Sequence, residues 1–203
     1  MWVVGLGTVG RWVVRALHTQ ADTLAERYGF EPVVVGVATA RNGFVHRPEG
    51  LDLPTLLELA AHGRSLSEHP GAHRLPSAHE GLRATDADLL VEVTASPPRD
   101  GEPGFSHMRE ALGRRIPVVT SNKWPVALHG VELAELARRQ GVAFRAESTV
   151  MSGTPVLSTL VDGLAGTTPT ALRGILNATA NFVLSEMTAG RSYGEALAEA
   201  QAI

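Results

Sequence analysis

The chain has 203 residues, 44% hydrophobic and 19% charged, with a formal net charge of -3 and no cysteine. This length allows one large domain or a domain and a half. The charge offers no basic footprint for nucleic acid, and without thiols there are no disulfides, thiolate metal sites or cysteine nucleophiles, which also excludes aldehyde oxidation through a thiohemiacetal.

Taken in chain order, Val3-Val4 enters a glycine turn, and Val9 to Tyr28 carries apolar residues at helical spacing (Val9, Val13, Ala16, Leu17, Leu24). Pro32 to Ala38 is β-branched, short and apolar throughout, the pattern of a fully buried strand. Between Arg41 and Thr85 the pattern loosens, and loops are expected there with one short helix around Leu53 to Ala61. Asp88 to Val93, Ile116 to Thr120 and Val142 to Arg145 are further strand candidates. Helices are expected over Gly104 to Arg114 and Pro125 to Gln140, the latter opening on a proline suited to a first turn. Alternation of this kind predicts a doubly wound parallel sheet of the α/β class over residues 1–150. After Ser152 the character changes: Pro155 to Leu164 reads as a helix, Ala171 to Leu176 as a strand, and Phe182 to Met187 and Tyr193 to Ile203 as helices. Residues 151–203 are therefore expected to be part of a second, α+β domain, with a helical pattern still running at Ile203. No apolar run reaches the roughly 18 to 20 residues of a membrane span, so no membrane contact is expected. The opening Met1-Trp-Val-Val-Gly has no basic n-region, which places the protein in the cytoplasm.

Gly5-Leu6-Gly7-Thr8-Val9-Gly10 fits G-x-G-x-x-G between a strand and a helix. In that pattern the first glycine makes a tight turn, the second lets backbone approach a pyrophosphate, and the third allows close helix packing over N–H groups that face the phosphates. The flanking strand, long helix and second buried strand make this a Rossmann-type dinucleotide site rather than a merely structural glycine turn. Where a carboxylate would hold the adenosine ribose of NAD, this chain has Thr39, with Arg41 two residues on. No carboxylate repels a 2′-phosphate there and a guanidinium could bind one, so NADP is favoured while NAD stays open; a solvated loop arginine is the competing reading.

Thr94 and Ser96 follow the third parallel strand, where the carboxyl ends of strands line the ligand crevice. Lys123 follows the next strand, and it is the only lysine among 18 basic residues. An ammonium is a compact point charge that a guanidinium fork does not replace, and two strand ends converge on the crevice that holds it. Glu147, beside the glycine-containing loop Ser148 to Pro155, reads either as a hard-cation ligand or as a helix-capping or salt-bridging carboxylate. The eight histidines have no zinc spacing.

Gly5 to Gly10, Asp100-Gly-Glu-Pro103, Thr120-Ser-Asn-Lys-Trp-Pro-Val-Ala127, Glu147-Ser-Thr-Val-Met-Ser-Gly-Thr-Pro155 and Gly174-Ile-Leu-Asn-Ala-Thr-Ala-Asn181 together resemble, in that order, the homoserine dehydrogenase family. The resemblance covers essentially the whole chain and implies an NAD(P)-dependent interconversion of L-homoserine and L-aspartate 4-semialdehyde, on the path to threonine and methionine. It implies a catalytic Lys123 that meets substrate and nicotinamide. It also implies a monovalent cation such as sodium held by Glu147 and Val150, with Ser152 and Thr154 completing the set. A homodimer built through the substrate domain is expected on the same ground. Ala178, Ala180 and Trp124 depart from the family pattern, and the family's acidic substrate ligand and aspartate–lysine proton-transfer pair have no counterpart in these residues. Activity from residues 1–203 alone is accordingly not expected, and the alternative is a catalytically incomplete paralogue that binds a dinucleotide as a sensor or assembly module.

Overall fold

Trp2, Val3 and Val4 are each no more than 1% exposed, and this short strand, β1 (Trp2–Val4), is the middle of a seven-stranded sheet. The structure, a computed structural model, describes residues 1–203. The chain divides into two units, Met1–Ala146 and Glu147–Ile203. The other strands of the first unit are β2 (Gly36–Thr39), β3 (Gly43–His46), β4 (His73–Leu75), β5 (Leu90–Glu92), β6 (Val118–Thr120) and β7 (Phe144–Arg145), in the order β4-β3-β2-β1-β5-β6-β7. β1 pairs in parallel with β2 and β5, and β5, β6 and β7 continue in parallel.

A strand covered on both faces must be apolar at every position, and alternate side chains then feed two separate cores. That is what β1 does. Trp2 and Val4 join Ala38, Phe44, Leu82, Leu90, Met108, Leu112, Val118 and Leu133 on one side. Val3 joins Val14, Val37, Val45, Leu56, Leu59 and Val91 on the other. Helices α4 (Ala78–Ala84), α5 (Gly104–Gly113) and α6 (Lys123–Gln140) cover the first face, and α1 (Thr8–Thr19) and α3 (Leu53–Ala61) the second. The Trp2 indole N–H donates to Thr85 Oγ at 3.0 Å, so its one polar atom is satisfied inside the core.

The structure departs from the sequence reading in four places besides the strand expected over Pro32 to Ala38, which forms only at Gly36–Thr39 and leaves Val33 49% exposed. The sheet is mixed: β3 runs antiparallel to both β2 and β4, so the expected all-parallel sheet holds only from β2 to β7. Two strands and α4 thus occupy the stretch read as loop between Arg41 and Thr85. The strands have only four and three residues and no long alternation of their own; pairing with β2 makes them. Gly81 on α4 contributes, since a Cβ there would lie 2.1 Å from the Phe44 ring. The helix read as continuous from Val9 to Tyr28 is two helices, α1 and α2 (Ala21–Tyr28), interrupted at Gln20 (φ -113°, ψ 16°). Helix α6 starts at Lys123, so Pro125 lies inside its first turn, where a missing N–H costs nothing.

The fourth departure lies in the second unit, which contains α7 (Val156–Ser158) running into a π-helical turn at Thr159–Gly163, then α8 (Ala178–Thr188) and α9 (Tyr193–Ala202). Asn177 caps α8 by accepting from the Ala180 N–H at 2.8 Å, and Ser192 and Glu195 form a capping box on α9. The stretch Ala171 to Leu176, expected to be a strand, is not one. Leu172, Ile175 and Leu176 stand 58%, 48% and 42% exposed. A lone extended segment has no partner for its N–H and C=O groups, and propensity alone does not make a strand. No helix of the chain is long and apolar enough to cross a membrane.

Candidate active site

The glycine turn leaves β1 and enters α1 at Thr8. Gly5 has φ +102°, and a Cβ there would lie 2.6 Å from the Val93 carbonyl carbon, so the turn admits no side chain. A Cβ on Gly10 would come within 2.0 Å of the Gly5 carbonyl oxygen, which ties the helix to its own turn. Gly7 differs: nothing lies within 4 Å of its Cβ position, so this glycine faces open space where a ligand can approach the backbone. Gly7 is also the N-cap of α1 and has no side chain with which to cap it, and the first turn holds no acidic residue. The leading N–H groups of a twelve-residue helix are therefore free for phosphate oxygens. Leu6 is half-buried against the second core, and Thr8 and Val9 are exposed on the first turn. The residues present fit a dinucleotide pyrophosphate.

Thr39 ends β2, and its hydroxyl accepts from the Asn42 N–H and side-chain amide at 3.0 and 3.1 Å, which closes the β2–β3 turn. Arg41 is at the exposed tip of that turn, and its guanidinium has no ion pair within the chain.

At the carboxyl ends of β5 and β6 the side chains converge on a carboxyl group that the sequence reading gave no role. Glu92 is fully buried. Its Oε1 accepts from the Thr94 N–H at 3.3 Å and from the Thr94 hydroxyl; its Oε2 accepts from Asn122 Nδ2 at 3.0 Å and, at 3.5 Å, from the Thr120 hydroxyl. Asn122 Nδ2 also reaches Thr94 Oγ (3.1 Å) and Ser96 Oγ (2.8 Å). Thr94 and Ser96, both just past β5, are thus brought together, and both hydroxyls are engaged with Asn122. Ser96 additionally accepts from the Gly104 N–H at 3.3 Å. Behind Glu92, His107 Nδ1 lies 3.6 Å from Oε1, buried and without a hydrogen-bond partner. The signal for this group was a single acidic residue at the fourth position of the apolar run Leu89-Leu-Val-Glu-Val93; burial, which sequence does not show, gives it meaning.

Lys123 is the first residue of α6, exposed and without an ion pair. Asparagine at an N-cap normally accepts from the helix N–H groups. Here the Asn122 side chain turns into the Glu92 cluster and makes no cap bond, so the opening N–H groups of α6 carry no side-chain partner. The loop between β5 and α5 is anchored on α6. The Asp100 carboxyl is held below the usual carboxylate range by the Glu102 N–H and by Arg99, and the Asp100 carbonyl accepts from His129 Nε2 at 3.0 Å.

In the second unit both oxygens of Glu147 accept backbone N–H groups, of Leu157 at 2.9 Å and Ser158 at 2.8 Å, the helix-capping arrangement that competed with cation binding in the sequence. The intervening turn places Met151 and Ser152 at φ 56° and 53°, left-handed backbone rarely adopted by residues with side chains. Val150 is half-buried in that turn and Thr154 is exposed.

The chain matches two family models, homoserine dehydrogenase, NAD binding domain, over residues 5–147, and homoserine dehydrogenase over residues 155–203. It is 40% identical to the NAD(+)-dependent homoserine dehydrogenase of Pseudomonas canavaninivorans, covering 99% of this chain and 57% of that protein. It is 34% identical to the homoserine dehydrogenase of Methanocaldococcus jannaschii, covering 98% and 59%. Among solved structures it superposes on a hyperthermophilic archaeal homoserine dehydrogenase mutant in complex with NADPH with a TM-score of 0.80 at 29% identity, covering 100% of this chain and 61% of that one. The homoserine dehydrogenase of Thermoplasma acidophilum gives 0.75 at 29% identity, covering 98% and 58%. The chain therefore spans somewhat more than half the length of these relatives.

Proposed function

The chain belongs to the homoserine dehydrogenase family, and on that premise we propose that it supplies the dinucleotide half of an NAD(P)-dependent oxidoreductase interconverting L-homoserine and L-aspartate 4-semialdehyde. The observation that carries the reading is a shared side of the sheet: the free first turn of α1, open at Gly7, follows β1, and Lys123 opens α6 after β6, both at the carboxyl ends of parallel strands. When bound, the nicotinamide ring takes up or releases the hydride. The chain's own residues then have defined tasks. Gly5 to Gly10 hold the pyrophosphate, and the single ammonium, Lys123, sets the charge beside the oxygen that gains or loses a proton.

Relatives bearing either cofactor's name support opposite preferences: the Pseudomonas canavaninivorans enzyme is NAD(+)-dependent, and the archaeal structure holds NADPH. In this chain the absence of an acidic residue at Thr39 and the unpaired Arg41 favour NADP. A sodium-like cation at Glu147, Val150, Ser152 and Thr154 is part of the proposal; it would share the Glu147 oxygens with the two N–H groups they already accept. So are a cytoplasmic location, a homodimer, and threonine and methionine biosynthesis as the setting.

The test is substitution of the lone lysine in the complete enzyme. Lys123→Ala should abolish turnover while leaving the fold intact by circular dichroism. Lys123→Arg should also be poor, because a planar fork does not reproduce a point ammonium. Near-normal kcat in the arginine variant would remove the assigned role.

A further inference from the structure

We propose that Glu92 is a positioning residue for the active lysine: its buried carboxyl, acting through Asn122, holds the β6–α6 turn that presents Lys123. The inference rests on the reading of Lys123 just given, but its observations are separate.

Glu92 is the last residue of β5 and stands in register with Thr120, the last residue of β6. A carboxyl group taken fully out of water is retained only if partners replace the lost solvent. All of the hydrogen-bond donors to Glu92 follow or end the two strands. Thr94 engages one oxygen; Asn122 and, at long range, Thr120 engage the other. Asn122 is itself only 5% exposed, and its backbone N–H donates to Thr120 Oγ at 3.0 Å. Both ends of Asn122 are thereby fixed, one residue before Lys123. The helix forgoes the side-chain cap that asparagine could supply, and the amide is turned instead to Glu92, Thr94 and Ser96.

The neighbours leave no other place for this link. A Cβ on Gly104 would lie 2.5 Å from Asn122 Nδ2 and 2.9 Å from Ser96 Oγ, so the start of α5 is glycine where the amide passes. His107 Nδ1 lies 3.6 Å from Glu92 Oε1 on the α5 side. Pro125, buried in the first turn of α6, packs against Gly101 and Gly104.

A single lysine makes the experiment direct, since the chain has only two amines, Lys123 Nζ and the Met1 terminus. Met1 donates to the Val33 carbonyl at 2.7 Å and belongs to the opposite end of β1. Reductive 13C-methylation of the 203-residue chain gives each amine its own NMR signal and its own rate of modification. The rates are compared in the parent, in the isosteric Glu92→Gln and in Asn122→Leu. The expected result is a change of about fivefold in the ratio of the Lys123 rate to the Met1 rate, the equivalent of one net hydrogen bond lost from the turn. Loss of the protection that bound NADPH gives Lys123 should accompany it. An unchanged ratio in folded Glu92→Gln overturns the proposal, and so does an equal change at both amines, which would mean general loosening. Should Asn122→Leu fail to fold, Glu92→Gln decides alone, because its shape is preserved. Protection by NADPH in the parent reads separately on the site assignment: its absence there would remove the reading of Lys123, whereas the ratio without dinucleotide tests the link to Glu92.

Discussion

Residues 1–146 and residues 147–203 solve the problem of burial differently. The first unit places a sheet between two helical layers, and nearly all of the fully buried side chains of the protein belong to it, from Trp2 to Leu133. In the second unit only Thr149, Val183 and Ala196 are buried, while Leu172, Ile175, Leu184, Met187 and Tyr193 are each at least 41% exposed. Its helices are made locally, by Asn177, by the Ser192–Glu195 box and by the Arg191 guanidinium between Glu186 and Glu199. Helices can be started by caps; a core needs surfaces from distant parts of the chain. The contrast teaches that the dinucleotide site rests on the better-buried part of the protein.

The largest effect that would sharpen this contrast is a core deletion in each unit. Trp2→Ala removes a fully buried indole and the hydrogen bond it donates to Thr85, which keeps only its bond to the Gly81 carbonyl, and should cost about 3–5 kcal/mol. Val183→Ala in α8 removes two methyl groups and should cost about 1.5 kcal/mol. Urea denaturation of both variants measures the difference; equal losses would erase the distinction between the units.

Next in size is the cofactor. Arg41→Ala should weaken NADP(H) by about 1.5–3 kcal/mol, tenfold to a hundredfold in Kd, and leave NAD(H) nearly unchanged by calorimetry. Equal loss for both would place Arg41 away from the 2′-phosphate.

Smaller effects come from the caps. The Asp52 carboxyl, which caps α3 in the first unit, lies below the ordinary carboxylate range because the Thr55 side chain and N–H donate to it. Glu195 in the second unit is lowered in the same way by Ser192. A carboxyl lowered by folding contributes stability that is present above its unfolded value, about 4, and is lost as pH falls through the folded value. Both units should therefore loosen together in acid, and Asp52→Ala, costing about 1 kcal/mol, should flatten that acid response only in the first. A pH profile of melting temperature unchanged by Asp52→Ala would contradict this. The smallest expected effect is that of removing the second unit: residues 1–146 alone should bind NADPH with a Kd within about threefold of the whole chain, since the phosphate cradle at α1 is complete within them. A larger loss would show that the second unit contributes to the dinucleotide site.

What the sequence determined by itself is whatever depends on near neighbours. The glycine turn is legible because Gly5, Gly7 and Gly10 answer to constraints within a few residues and one strand. Helix α3 appears where one short helix is expected, over Leu53 to Ala61, and the lone lysine stands out by counting alone. Tertiary structure decided the rest. Strands β3 and β4 carry too short a pattern to announce themselves: β3 exists because β2 offers it an edge, and β4 because β3 then offers the next one. Ala171 to Leu176, with better strand composition, is not a strand within these residues. Glu92 and Asn122 are 30 residues apart in the chain and 3.0 Å apart in the fold. No local pattern encodes that contact; parallel pairing of β5 with β6 brings the two strand ends level, and burial makes the hydrogen bond between them obligatory.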